Sequence, residues 1–413
     1  MDLNDWAQKV SLCIKCGSCL SVCPVYLETG KETLVARGKL ALLSGYLSDS
    51  LPADKRLYEL LSHCLLCGAC SENCPSGVKA DDLIQQGRSL LLEKVGAVRW
   101  KKFMAKGILP FPKRLKTIRR GQRLLFKKIS DERGLTLRFS SDPRTWPSLA
   151  QPFFLDRKTI QIDQDLAPSF KIGYFVGCLT NYVYPEIGEA ALKLISPLGE
   201  VILPAKQTCC GLPAFSLGDI KTARQLARKN VLAFSENQLD ALVVACSSCA
   251  AHIKTEYTSL LADDVALMPK VQDFVQKVEE LSQFLRKKEL KFTPPLHHNG
   301  SSTLPPLTVA FHDPCHAKRK LNISNEPRKL LNSIPGLSLV ELKEHRCCGH
   351  GGLFNLSHPD VSQKILEHPL TDLDLSGTEV IATSCMACLM QFKSGVQRTG
   401  RKIQVKHWTE LMV

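Results

Sequence analysis

The chain has 413 residues, 44% of them hydrophobic, enough for two or three domains that each bury a core. Lysine and arginine outnumber aspartate and glutamate by 54 to 40, a formal charge of +14, and no apolar run approaches the roughly 18 residues that a membrane-spanning helix needs. Eighteen cysteines would suggest disulfides in a short secreted chain, but here they fall at metal-ligand spacings behind an N-terminus, MDLNDWAQKV, that has acids and no apolar core, which predicts a reducing cytoplasm and at most peripheral membrane contact.

The first element is Cys13 to Pro24, CIKCGSCLSVCP, and Cys64 to Pro75, CLLCGACSENCP, repeats it. Both read C-x2-C-x2-C-x3-C-P, the ferredoxin run for cubane iron–sulfur clusters, in which the fourth cysteine serves the other cluster. One [4Fe-4S] cluster is therefore expected on Cys13, Cys16, Cys19 and Cys74, and a second on Cys64, Cys67, Cys70 and Cys23. Two copies at identical spacing, each closed by proline, argue against a disulfide framework or zinc. Gly17 and Gly68 hold matching places, where a missing side chain brings the backbone close over sulfide.

Residues 1–97 form this module, and the segment between the motifs looks helical. Leu40, Leu43 and Leu47 recur at three and four residues, and ADDLIQQGRSLLLEKV sets Leu83, Ile84 and Leu91 among charges behind Asp81 and Asp82. An α-helical ferredoxin is expected. Residues 98–168 then read as a basic, proline-containing linker. Its stretch 98–130 carries twelve Lys or Arg and no Asp or Glu, with Trp100, Phe103, Met104 and Phe111 interleaved. It is a candidate contact for anionic lipid or an acidic partner, or else a solvated linker. No nucleic-acid recognition module accompanies it.

The second half repeats itself. KIGYFVGC ends at Cys178 and LTVAFHDPC at Cys315; TCCG brings Cys209 and Cys210, RCCG brings Cys347 and Cys348; CSSC closes with Cys246 and Cys249, CMAC with Cys385 and Cys388. The offsets are 137, 138 and 139 residues. Strands such as ALVVA and EVIAT are continuous apolar runs of the kind buried in parallel sheets. Helical patterns lie between them, at Ile187, Ala191, Leu194 and Leu198 and at Ile220, Ala223, Ala227, Val231 and Phe234. Two α/β lobes are expected, at 169–292 and 305–413, with cysteines at carboxyl strand ends and the lobes packed as pseudo-twofold mates. Adjacent cysteines cannot share a pocket from a regular strand, and a tight turn ending in Gly211 or Gly349 would aim both inward. The occupant of each pocket is an iron–sulfur cluster, zinc or nothing. The fold class is thus α+β and multidomain.

This arrangement resembles the CCG-domain family, whose duplicated cysteine-rich domain bears C…CCG…CxxC. RGKLALL, CPSGV at Cys74 to Val78 and the C-terminal VKHWTELM also look like the glycolate oxidase iron–sulfur subunits of that family. The resemblance implies an electron-transfer subunit that takes electrons from an FAD-containing 2-hydroxy-acid dehydrogenase and passes them to quinone or another acceptor, not catalytic by itself. Both cysteine sets are full, however, as in heterodisulfide reductase, whose CCG domains hold noncubane clusters that reduce a disulfide. His252, His312, Asp313, His316, His345 and His350 lie near the second-half cysteines and would tune a cluster, relay protons or simply be structural, His312, Asp313 and His316 standing out. GHGG at 349–352 lacks dinucleotide spacing and reads as a ligand loop. No Rossmann fingerprint or P-loop is present.

Overall fold

The computed structural model describes residues 3–96, 146–157, 170–288, 306–342 and 346–413, with Leu115, Thr117 and the backbone of two strands at 126–129 and 134–137. Most of the basic stretch 98–130, and His345, lie outside the described residues. Among the described residues, no helix is long and apolar enough to cross a membrane.

The N-terminal module is helical throughout: α1 (Leu3–Ser11), α2 (Pro24–Thr29), α3 (Ala36–Leu47), α4 (Lys55–Ser62), α5 (Ala69–Glu72) and α6 (Ala80–Val95). Asp54 caps α4 by accepting from the Leu57 amide at 2.7 Å. Leu83, Ile84 and Leu91 of α6 pack on Leu40 and Leu43 of α3 and Leu57 and Leu61 of α4. Gly87 allows that approach, since a Cβ there would lie 2.6 Å from Leu43.

Three short strands follow, β1 (Phe126–Ile129), β2 (Gly134–Leu137) and β3 (Trp146–Pro147), paired antiparallel. Residues just beyond, within the segment read as linker, enter the core: Phe153 is 3% exposed and Phe154 fully buried. Ala150 donates its amide to Tyr182 O at 2.8 Å, and Leu155 to Asn181 Oδ1 at 2.9 Å. Proline density hid these anchors.

The second half contains two four-stranded parallel sheets. β4 (Lys171–Phe175), β5 (Glu200–Ile202), β6 (Ala241–Val244) and β7 (Val278–Glu280) lie in the order β5-β4-β6-β7. β8 (Leu307–His312), β9 (Leu337–Val340), β10 (Val380–Thr383) and β11 (Gln404–His407) lie in the order β9-β8-β10-β11. The two orders correspond strand for strand, as a duplication requires. Every residue of β6 and β10 is buried, which explains their unbroken apolar sequences.

The first copy's helices are α7 (Cys178–Tyr182), α8 (Pro185–Ile195), α9 (Leu212–Leu217), α10 (Ile220–Phe234), α11 (Ser247–Leu260), α12 (Met268–Lys277) and α13 (Leu281–Lys287). The second copy has α14 (Cys315–Lys320), α15 (Asn325–Asn332), α16 (Phe354–Ser357), α17 (Pro359–Leu375) and α18 (Met386–Thr399). α8 packs on the turn Trp408–Leu411 at the end of the second copy, while its counterpart α15 packs on α13 at the end of the first. This exchange of equivalent contacts is a pseudo-twofold relation. One core cluster unites Ile172, Tyr174 and Val243 with Val309, Phe311 and Val380, and the Ser247 amide donates to Ser384 O at 2.9 Å across the junction.

The helical module lies across both copies. Tyr58 and Arg88 donate to Leu217 O and Ser216 O at 2.9 and 2.8 Å in the first copy. Arg319 and Lys320 on α14 of the second copy pair with Glu72 at 2.7 Å and Asp82 at 2.8 Å.

Candidate metal centres

Both ferredoxin loops adopt one unusual backbone. Lys15 and Leu66, each the second residue after its loop's first cysteine, have φ of 57° and 55°, and Gly17 and Gly68 have 90° and 75°. Left-handed conformations at non-glycine residues are costly, and repeating them at equivalent positions points to a loop shaped around a ligand. An arginine covers each loop: Arg37 donates to Lys15 O at 3.2 Å and Arg319 to Cys67 O at 3.4 Å.

Cys23, Cys64, Cys67 and Cys70 line a single cavity, so the last cysteine of the first motif does meet the first three of the second. Cys13, Cys19 and Cys74 flank the same apolar cluster, and Asn73 donates to Ser18 O at 2.7 Å, holding the end of the second motif against the first loop. Cys16 is exposed.

Two buried cations test whether the Cys23 set fits an anionic cluster. Lys39 is 1% exposed and Arg88 4%, and among the described residues they bond only to carbonyls: Lys39 to Leu34 O, Arg88 to Leu61 O, Cys64 O and Ser216 O. Burial pushes the Lys39 ammonium down in pKa, while the Cys64 and Cys23 sulfurs oppose that. Buried unpaired cations are expensive, and a four-thiolate cluster held here, of about −2 charge, would compensate them. Burial also raises the Cys23, Cys67 and Cys70 thiols, so a metal is needed to displace their protons. The donor set fits.

In the duplicated half, Cys178 and Cys315 open α7 and α14 directly after β4 and β8. Cys246 and Cys385 are the N-caps of α11 and α18 after β6 and β10. These are the carboxyl ends of the two strands where strand order reverses, the place open α/β sheets put their sites. The CCG glycine makes the turn the adjacent cysteines require: Gly211 and Gly349 have φ of 97° and 82°, and their amides donate to Cys209 Sγ at 3.5 Å and Cys347 Sγ at 3.4 Å.

The ten cysteines follow one another as a line of neighbouring sulfurs: Cys178, Cys209, Cys210, Cys249 and Cys246, then Cys385, Cys388, Cys348, Cys347 and Cys315. The link between copies is Cys246 to Cys385. Cys348 and Cys388 lie 3.1 Å apart. Nine of the ten line a cavity of about 350 Å³. The neighbouring thiols Cys315 and Cys348 pull Cys347 down, and Cys246 and Cys388 do the same for Cys385. In the first copy Cys209 and Cys249 do this for Cys210, pulling it down to about 6.

The ferredoxin loop meets this assembly at Cys67. Cys67 and Cys347 flank one apolar cluster and border a shared cavity of about 420 Å³ with Arg319 and Arg346. Of the six polar residues singled out in the sequence, His316 lines the cysteine cavity and lies 3.2 Å from Ser248 Oγ, and a His312 nitrogen lies within 4.8 Å of the Cys348 and Cys388 sulfurs. Asp313 is committed to a two-pronged pair with Arg328, at 2.7 and 2.9 Å. His350 lines the cavity, held by burial at a pKa of about 4. His252 lies apart, in a smaller cavity beside Phe215 and Glu256. Ser248, Lys39, Arg88 and Arg319 are what sequence reading missed, because a serine between cysteines and cations on amphipathic helices carry no signature of their own.

Two families match the chain. The 4Fe-4S dicluster domain covers residues 9–78, and the cysteine-rich CCG domain covers 172–254 and 309–393. A probable glycolate oxidase iron–sulfur subunit of Bacillus subtilis is 30% identical over 97% of this chain and 93% of its own length. The chain belongs to this family of CCG-domain iron–sulfur proteins. Lactate utilization protein A of an Exiguobacterium species is 31% identical, covering 58% of the chain and 96% of that protein. A dihydromethanophenazine:CoB–CoM heterodisulfide reductase component of Methanosarcina acetivorans is 25% identical, covering 95% of the chain and 91% of that protein. As a CCG-domain iron–sulfur protein the chain binds iron–sulfur clusters and serves electron transfer within an oxidoreductase.

Proposed function

We propose that the chain is the iron–sulfur electron-transfer subunit of a flavin-linked oxidase or dehydrogenase for a 2-hydroxy acid such as glycolate or lactate, delivering electrons to quinone or another acceptor. Cys13, Cys16, Cys19 and Cys74 would hold one [4Fe-4S] cluster and Cys23, Cys64, Cys67 and Cys70 the other. Five cysteines per CCG copy, Cys178, Cys209, Cys210, Cys246 and Cys249, then Cys315, Cys347, Cys348, Cys385 and Cys388, would hold one further cluster each. The working division is 1–97, 98–168, 169–292 and 305–413.

The observation that carries this reading is the meeting of Cys67 with Cys347, which joins the ferredoxin centre to the ten-cysteine line without an intervening domain. Clusters, when bound, supply one-electron transfer. The chain's own residues exclude water, place cations beside the thiolates and donate to sulfur, and the last two raise the reduction potential. The hydroxy-acid assignment draws on the relatives named above.

The test is anaerobic purification with iron and sulfide analysis, expecting about sixteen irons per chain where two ferredoxin cubanes alone give about eight. A co-purified flavoprotein should reduce the clusters when glycolate or lactate is added. Failure of both acids with any flavoprotein partner removes the assignment. A second reading, reduction of a disulfide at a CCG centre, is favoured by the completeness of both cysteine sets and by their opening onto one cavity. Turnover of a disulfide by the chain alone, abolished by replacing Cys246 and Cys249 with serine, would establish it.

A further inference from the structure

His350 is 6% exposed, and neither of its ring nitrogens has a hydrogen-bond partner among the described residues. It lines the cysteine cavity together with Cys347, Cys348, Cys385 and Cys388. Leaving a buried donor unmade costs about 1–3 kcal/mol, so such groups persist where the occupant of the cavity takes the hydrogen. The contrast with His252 is informative. That ring is also buried and unpartnered, but it packs on Phe215 and Tyr257 at 5.0 and 5.9 Å and borders a separate cavity of about 40 Å³ lined by Gln85, Glu256 and Lys320. Water fits there. Around His350 much of the remaining cavity wall is sulfur and apolar side chains such as Leu353, Leu366 and Met390.

The duplication adds a second, independent observation. In CCGL and CCGH the residue after the CCG turn is Leu212 in the first copy and His350 in the second. Both side chains line the same cavity. The two cysteine sets are matched one for one, yet only the second faces a ring N–H at this place.

We propose that His350 is a positioning residue that donates its N–H to sulfur of the cluster held by the second CCG copy, raising that cluster's reduction potential above that of the first copy's cluster. The inference rests on the reading that both copies hold clusters. A neutral imidazole carries one N–H in either tautomer, so no proton need move: one electron is added to the cluster, and the donor stabilises the extra negative charge on sulfur. Electrons then settle preferentially in the second copy, the one whose Cys347 adjoins Cys67 of the ferredoxin module.

The experiment uses the full chain, reconstituted without oxygen, with iron counted and each cluster's midpoint read by redox titration under electron paramagnetic resonance. H350L gives the second copy the side chain of the first, and H350Q keeps an N–H donor. The expected result is unchanged iron in both, one midpoint moved to more negative potential in H350L, and that midpoint largely restored in H350Q. Unchanged midpoints in H350L would overturn the proposal. So would loss of about four irons from H350L, because the ring would then be holding the cluster instead of tuning it. A wild-type chain with only about eight irons would instead defeat the underlying reading before any variant is compared, so the two failures are distinguishable.

Discussion

The Ser248 hydroxyl of the first CCG copy sits 3.0 Å from the Cys385 sulfur of the second. A hydrogen bond that crosses the pseudo-twofold junction makes the electronic environment of one copy depend on the other. Ser248 is also 3.2 Å from His316 Nδ1, so its orientation is held from both sides. Removing it by S248A takes a donor from sulfur without touching a proposed ligand. The expected outcome is unchanged iron content and a more negative midpoint for the second-copy cluster, read by redox titration. If only the first-copy midpoint moves, the hydroxyl does not act across the junction.

Arg88 should be the most costly single loss in the ferredoxin module. Its guanidinium satisfies Leu61 O at 3.0 and 2.7 Å and Ser216 O at 2.8 Å, besides Cys64 O. Ser216 belongs to the first CCG copy, so the same side chain closes the cluster loop and fastens the module to its neighbour. R88M strands these buried acceptors and removes a cation from beside the Cys64 sulfur, a cost on the order of 3 kcal/mol or more. Chemical denaturation should show that loss together with iron released from the protein. A variant with wild-type stability and iron would mean the cluster charge is compensated elsewhere.

Much of this could be read in advance, and the boundary between what could and could not is physical. The cysteine runs are legible because cluster ligation imposes fixed spacings on a local loop, and α6 is legible because one apolar face against charges has a period. ALVVA and EVIAT announce buried parallel strands because burial on both faces leaves no polar position. What pairs across long distances is not legible: Arg319 and Lys320 look like a basic helix end, and nothing in their neighbourhood says that Glu72 and Asp82 receive them. Lys39 and Arg88 look like solvated helix residues, since the ferredoxin loops and the first CCG copy that bury them lie far away in sequence or follow no period. The six polar residues around the second-half cysteines could be collected, but not sorted. Asp313 is taken by Arg328, while His350 is left facing the cavity.

Gly188 tests whether the segment around Phe154 is an integral part of the first CCG copy. A Cβ on Gly188 of α8 would stand 2.6 Å from Phe154 Cε2, against a ring that is fully buried. A methyl has no room unless Phe154 leaves its site, so G188A should destabilise by about 1–3 kcal/mol through overpacking. The double variant G188A/F154L, which shortens the opposing side chain, should recover part of that loss. Denaturant midpoints of the single and double variants measure it. A neutral G188A would show that residues 149–157 do not pack tightly in solution.

His407 couples the junction between copies to pH. It is fully buried, its Nε2 lies 3.2 Å from Ala245 O of the first copy, and its Nδ1 lies 2.7 Å from Thr409 Oγ1 and accepts from the Thr409 amide. An Nδ1 that accepts an amide is unprotonated, so Nε2–H is the donor that reaches Ala245 and the ring is neutral. Burial holds its pKa at about 4, against 6.5 for the free side chain. Between those values the unfolded chain binds a proton that the folded chain refuses. Stability is therefore whole above about pH 6.5 and falls as pH drops toward 4, by about 2 kcal/mol between pH 7 and 5 from this group alone. H407Q keeps an amide donor for Ala245 but does not titrate, so it should lose that part of the slope. Urea unfolding at pH 7, 6 and 5 checks this, and Trp408, buried beside the His407 ring at 6.0 Å, supplies a local fluorescence signal. Parallel pH profiles for wild type and H407Q would place the acid sensitivity elsewhere in the fold.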